Sequence, residues 1–223
     1  MENLLKLIVN RFILFGYIGF LSSFSYAFID VNPKFVEIEN SSLSINIENR
    51  GDNPEFVKIE LFQIENPGVP PNEEKLTSVG FIVNPYLYAT PFKLSLQPRQ
   101  VKKVEIKVLH QPQKELVYRL SVMPQREIDV KENNNNNNIM NVGFGYLILI
   151  RQIPFNKKNS WNYYCINNGI KIEATGTVRV MFSDVKVDTR SEDNFNIYPE
   201  IPRFIEGKHI VGLIDDKEVN IKC

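Results

Sequence analysis

Beyond residue 27 the chain carries almost no helical periodicity. Short β-rich runs recur instead between clusters of Pro, Gly, Asn and Asp, which confines the fold to an all-β architecture. Leu43–Glu48 alternates apolar and polar residues, as a half-buried strand must, and Arg50-Gly-Asp-Asn-Pro54 reads as the turn after it. Phe56–Phe62, Phe81–Pro85, Phe92–Leu96, Val101–Val108 and Leu116–Val122 follow as strand candidates. Their spacing gives about seven strands in roughly 120 residues, the content of one immunoglobulin-like sandwich. Trp161–Ile166, Ile170–Ala174 and Thr177–Val187 continue the pattern, with Asn167-Asn-Gly169 as a hairpin signal between the first two. These runs predict a second, smaller β domain over 155–223, after a first domain over 28–154.

The first 27 residues read as a signal peptide. Lys6 and Arg11 supply the positive start, Phe12–Leu21 the apolar core, and Ser25 and Ala27 the small residues of a cleavage site. An uncleaved anchor is the alternative, but ten apolar residues fall short of the ~20 that span a bilayer. The expected mature chain therefore starts at Phe28, lies outside the cytoplasm and inserts in no membrane. In an oxidising compartment the two cysteines, Cys165 and Cys223, can form one disulfide, with two buried thiols as the other reading. The 26 basic and 26 acidic residues balance, so no overall field recruits nucleic acid.

Asn133–Asn138 is a run of asparagine preceded by the charged stretch Arg126–Glu132, and reads as a loop with no apolar area to bury. After it comes the most apolar strand candidate of the mature chain, Ile139–Pro154. Val142, Phe144, Tyr146, Ile148 and Ile150 share one face of it, while Gly143 and Gly145 thin the opposite face. Two readings are open. The row packs into its own core, or the strand lies at an edge and offers the row to another protein by strand addition.

The order and spacing of several segments resemble the periplasmic fimbrial chaperones of the chaperone–usher pathway, in particular the branch serving alpha-type, colonisation-factor fimbriae. The segments are Phe56–Gly68, Phe81–Pro85, Leu94–Pro98, Val101–Ile106, Val117–Val122, Leu149–Pro154 and Ile166–Gly169. The resemblance implies two immunoglobulin-like β-sandwich domains in a boomerang arrangement. It implies a non-catalytic, cofactor-free function: binding fimbrial major or minor subunits by donating the strand Val142–Ile150, and passing them to an outer-membrane usher. It also implies two basic residues that anchor a subunit's C-terminal carboxylate, matched here by Arg151 and Lys34.

Other classes fare worse. A fimbrial subunit or adhesin needs an apolar alternating N-terminal extension, and Phe28–Asn32 is short and stopped by Pro33. No G-x-S-x-G elbow or phosphate-cradling glycine loop is present. His110 and His209 are too scattered to join the cysteines in a metal site, and Asp215-Asp216 reads as a turn. Trp161, Tyr163 and Tyr164 read as core or rim aromatics, and Lys102, Lys103 and Lys107 as a solvated face or edge protection.

Overall fold

The computed structural model describes residues 28–125 and 145–223. The expected signal peptide, the asparagine run, Val142 and Phe144 lie outside the described residues. The first half of the chain forms β1 (Ile29–Asn32), β2 (Phe35–Ile38), β3 (Leu43–Asn49), β4 (Glu55–Ile64), β5 (Leu76–Ser78), β6 (Leu87–Thr90), β7 (Lys93–Leu96), β8 (Val101–Val108), β9 (Leu116–Pro124) and β10 (Tyr146–Gln152). The second half forms β11 (Trp161–Ile166), β12 (Gly169–Ala174), β13 (Val180–Val187), β14 (Arg190–Ser191), β15 (Phe195–Ile197), β16 (Arg203–Glu206), β17 (His209–Ile214) and β18 (Lys217–Lys222).

These strands build two immunoglobulin-like β-sandwiches. In the first, a sheet ordered β1-β3-β8-β6 faces a sheet ordered β2-β10-β9-β4-β5, with β7 also paired to β4. Period-two alternation fills the space between them: Ile45 and Ile47 of β3 and Val104 and Ile106 of β8 meet Ile59 of β4 and Leu120 and Val122 of β9. In the second, β11-β12-β16 faces β14-β13-β17-β18, with β15 on β13. Its core centres on Phe182, stacked on Phe195 at 4.8 Å between ring centres, with Trp161 packed edge-on against Phe182. Asp215 and Asp216 both take positive φ and close β17 onto β18 as a two-residue hairpin, as their pairing in the sequence suggested.

One expected strand is absent. Phe81–Pro85 is a strand by composition, but Val79–Phe81 forms a single 3-10 turn there and Phe81 and Val83 are almost fully exposed. Only Val79 of that turn is buried, so the run has no sheet face to bury and no partner strand to hold it extended. The lysines of β8 sit on an interior strand of their sheet, which makes them a solvated face and not an edge guard.

Cys165 of β11 and Cys223 after β18 are bonded. The bond ties the edge strand of one sheet of the second sandwich to the opposite sheet, across 58 residues of chain. Replacing both cysteines with serine should cost about 2–5 kcal/mol, through the freedom returned to the unfolded chain. Urea unfolding followed on the fluorescence of Trp161 would show the midpoint fall in that sandwich.

Candidate functional site

The chain changes sheets at Pro33, which has no N–H for the ladder. Before it, β1 runs antiparallel to β3; after it, β2 runs parallel to β10. That crossing leaves β10 unevenly covered. β9 pairs with it from Tyr146 to Gln152, whereas β2 pairs only from Leu149 to Gln152. Among the described residues, Tyr146–Ile148 therefore have a strand on one side and none on the other. The Ile153 N–H donates to the Ile38 carbonyl at 2.8 Å, on the β2 side. Strand alternation puts the N–H and C=O of Leu147 on that same side, where they meet no strand. The approach of β10 to β9 starts at Gly145, where a Cβ would sit 2.9 Å from the Val122 carbonyl oxygen.

Side chains follow the same alternation. Ile148 and Ile150 point into the first core and are fully buried, and Tyr146 is half-buried at its margin. Of the two readings open for this row, Ile148 and Ile150 follow the first: their own sandwich covers them. The outward residues are Leu147, which is exposed, Leu149, which is half-buried, and Arg151. The glycine-thinned face is thus the outer one.

A charge cluster borders the uncovered edge. Asp30 sits between Arg50, at 2.7 Å, and Lys34, at 3.6 Å, and its Oδ1 accepts from the Tyr146 hydroxyl at 3.4 Å. The Lys34 ammonium lies 5.4 Å from the Tyr146 ring centre. The hydrogen bond to Glu48 and the charge of Asp30 both raise the Arg50 pKa.

Arg151 lies elsewhere, where the second sandwich closes over the outer face of β9 and β10. Its Nε donates to Glu115 Oε1 at 2.5 Å and its Nη1 to Glu37. Glu115 Oε2 accepts from the Arg179 backbone N–H at 2.8 Å, and the Glu115 N–H donates to the Thr177 carbonyl at 2.8 Å. Burial works to lower the Arg151 pKa, but the hydrogen bond and charge of Glu115, with the charge of Glu37, hold it above its ordinary value. Beside this network Ile64, Val117 and Leu149 pack against Tyr198 and Ile201 of the second sandwich. Burial pushes the Tyr198 hydroxyl pKa upward. Lys34 and Arg151 are not brought together: Lys34, just before β2, pairs with Asp30 of β1, whereas Arg151 pairs with Glu37 of β2 and with Glu115.

The two sandwiches also enclose a cleft of about 420 Å³ between the outer face of β4, β9 and β10 and the β14–β16 region. In it Arg119 is held by a two-point bond to Glu74, at 2.9 and 2.7 Å. Arg203, at the start of β16 and flanked in sequence by Pro202 and Phe204, lines the same cleft, and no motif in the sequence marks it.

No protein-family model and no curated relative matches the sequence. Solved structures do share the fold. The class 5 fimbriae chaperone CfaA superposes with a TM-score of 0.67 at 20% identity, over 87% of this chain and 99% of that one. A complex of the SafA pilin with the SafB chaperone from Salmonella enterica matches with a TM-score of 0.58 at 11% identity, over 90% and 99%. The CsuC–CsuE chaperone–tip subunit complex of Acinetobacter baumannii matches at 0.57 and 12%, over 87% and 97%.

Arg151→Ala should cost about 3–5 kcal/mol, because it leaves the Glu115 carboxylate buried without its cation. Arg151→Met combined with Glu115→Leu should recover much of that loss. Urea unfolding of the three proteins measures it, and a single variant as stable as the parent would show that the pair is not desolvated.

Proposed function

We propose that this chain is a periplasmic chaperone that holds fimbrial subunits through the uncovered edge of β10 and the segment before it, then yields them to an outer-membrane usher. The observation that carries the reading is the edge Tyr146–Ile148, which among the described residues has no strand beside it opposite β9. A subunit strand added there would continue the sheet. Its inward face would then be continuous with the core that holds Ile148 and Ile150, and residues preceding Tyr146 on that parity would reach into the subunit. Each ladder bond adds about 0.5–1.5 kcal/mol, so a few of them with apolar burial suffice for capture without chemistry. Release requires only that a competing strand take the same place.

The shared fold with fimbrial chaperones, two of them solved with a subunit bound, supports the reading. So does the Cys165–Cys223 bond, which suits an oxidising compartment and an N-terminal segment that directs export. Among the described residues no helix is long and apolar enough to cross a membrane. The subunit alternative loses ground because β1 uses Ile29–Asn32 inside its own sheet. We place the division between sandwiches near Pro154 and Phe155. Arg151 and Lys34 are already neutralised within the chain, and a carboxylate anchor there would have to displace Glu37 and Asp30.

Leu147→Pro tests the edge. It removes an N–H directed away from β9, at a position where an edge strand tolerates proline. The variant should fold as the parent does and lose co-purification with fimbrial subunits. Capture that survives intact would refute donation along this edge. Ile148→Asp is a poorer probe, since it places a carboxylate in the first core and should unfold it.

A further inference from the structure

The second sandwich has an open edge of its own. Among the described residues β11 pairs with β12 and with no other strand. The Thr175 N–H donates to the Ser160 carbonyl at 2.8 Å, so the even-numbered residues of β11 turn their main chain toward β12. Trp161, Tyr163 and Cys165 therefore turn theirs to the open side. The Tyr163 N–H is met by the side-chain Oδ1 of its own neighbour, Asn162, at 2.9 Å.

Proteins shield such edges with charge, proline, bulges or shortness. β18, the edge strand of the opposite sheet, carries Lys217, Glu218 and Lys222. It lies on the same flank as β11: the Cys165–Cys223 bond joins their ends, and Asn159 Nδ2 donates to Asp215 Oδ2 at 2.8 Å. β11 has none of these devices. Its six residues, Trp-Asn-Tyr-Tyr-Cys-Ile, include no charge and no proline, and they pair with β12 without a bulge. The outer face is apolar as well. Trp161 packs on the second core, so Asn162, Tyr164 and Ile166 point outward, the last two half-exposed. Phe204 of β16 lays its ring over Gly169, the residue opposite Ile166.

Symmetry and charge decide what fits this edge. A second β11, laid antiparallel about a two-fold axis at Tyr163, puts Trp161 opposite Cys165 and Asn162 opposite Tyr164. The open main-chain groups of Trp161, Tyr163 and Cys165 then meet their own equivalents. Asn162 Nδ2 donates to the Tyr164 hydroxyl of its own strand at 3.3 Å, and the pairing offers it the same partner across the axis. Lys158, the first charged residue along the edge, falls opposite Asn168, so no like charges meet.

We propose that the chain self-associates through β11 into a two-fold dimer whose second sandwiches share one continuous sheet. A seam of one strand from each copy buries less than the standard interface of about 1,600 Å², so the dimer is weak and reversible. It makes no use of the edge of β10 in the first sandwich, and it stands whether or not the strand-donor reading holds.

Sedimentation equilibrium of the chain from Phe28 to Cys223, between about 10 µM and about 1 mM, should show a reversible monomer–dimer equilibrium. Asn162 and Tyr164 are both exposed, so substitutions there spare the core, and circular dichroism checks that the variants fold. Asn162→Lys with Tyr164→Lys sets ammonium groups opposite each other twice in the dimer and should weaken association about tenfold or more. Asn162→Lys with Tyr164→Glu sets opposite charges at the same places and should restore association to near the parent's strength. Leu147→Pro should dimerise as the parent does. The proposal is overturned by a parent that stays monomeric to about 1 mM, or by a double-lysine protein that associates as the parent does. It is overturned equally by a lysine–glutamate protein as weak as the double-lysine one, or by loss of the dimer in Leu147→Pro, which would move the contact to β10. A monomeric parent whose capture of fimbrial subunits fails in the double-lysine protein would assign the edge to a subunit and not to a second copy.

Discussion

A β-strand has two hydrogen-bonding edges, and a sandwich is stable in isolation only if most of them are paired or shielded. Here the first segment of the chain is divided between the two sheets at Pro33, and the rest of the site depends on that division. Four residues of it complete one sheet beside β3, and four more cover part of β10. The same length of chain cannot do both jobs in full. Among the described residues, what stays uncovered is the beginning of β10, while its end is locked by β2 on one side and by the second sandwich above.

The end of β10 carries the opposite character. Arg151, Glu115 and the backbone of Arg179 form a continuous polar join, and Ile64, Val117, Leu149 and Tyr198 form an apolar one beside it. One strand thus presents main-chain valences at its start and a consolidated junction at its finish. The orientation of the second sandwich is tied to the strand that would receive a partner, because both are read from the outer face of β9 and β10.

Alternation of apolar and polar residues was sufficient to recognise the β-sandwich strands, and residue type marked the Asn167–Gly169 hairpin and the Asp215–Asp216 turn; whether Cys165 and Cys223 are bonded was left open until the fold brought them together. It failed at Phe81–Pro85, where β-forming residues lie in an exposed turn, because composition carries no information on whether a partner strand exists. β10 shows a subtler limit. Both of its faces are apolar near Leu147–Ile150, since Ile148 and Ile150 face the first core while on the other face Leu147 is exposed and Leu149 packs beneath the second sandwich, so period-two reasoning could not tell display from burial. Arg151 was visible as a cation beside a domain end. Its carboxylate partners Glu115 and Glu37 lie 36 and 114 residues away in sequence, and only the fold shows that it is satisfied. Arg203 is the reverse case: it was unremarkable in sequence, and only the fold lays its guanidinium over Phe195 in a cleft that Glu192 and Asp193 also line.

The pairing of Phe35 with Leu149 has a further consequence. β2 begins where the uncovered stretch of β10 stops, so it is a physical end-stop along that edge. A strand laid against Leu147 cannot slide toward Gln152 without colliding with Phe35. Because a slip by one residue inverts every side chain, such a stop would set one limit on the register of any strand laid along this edge, before side chains are compared.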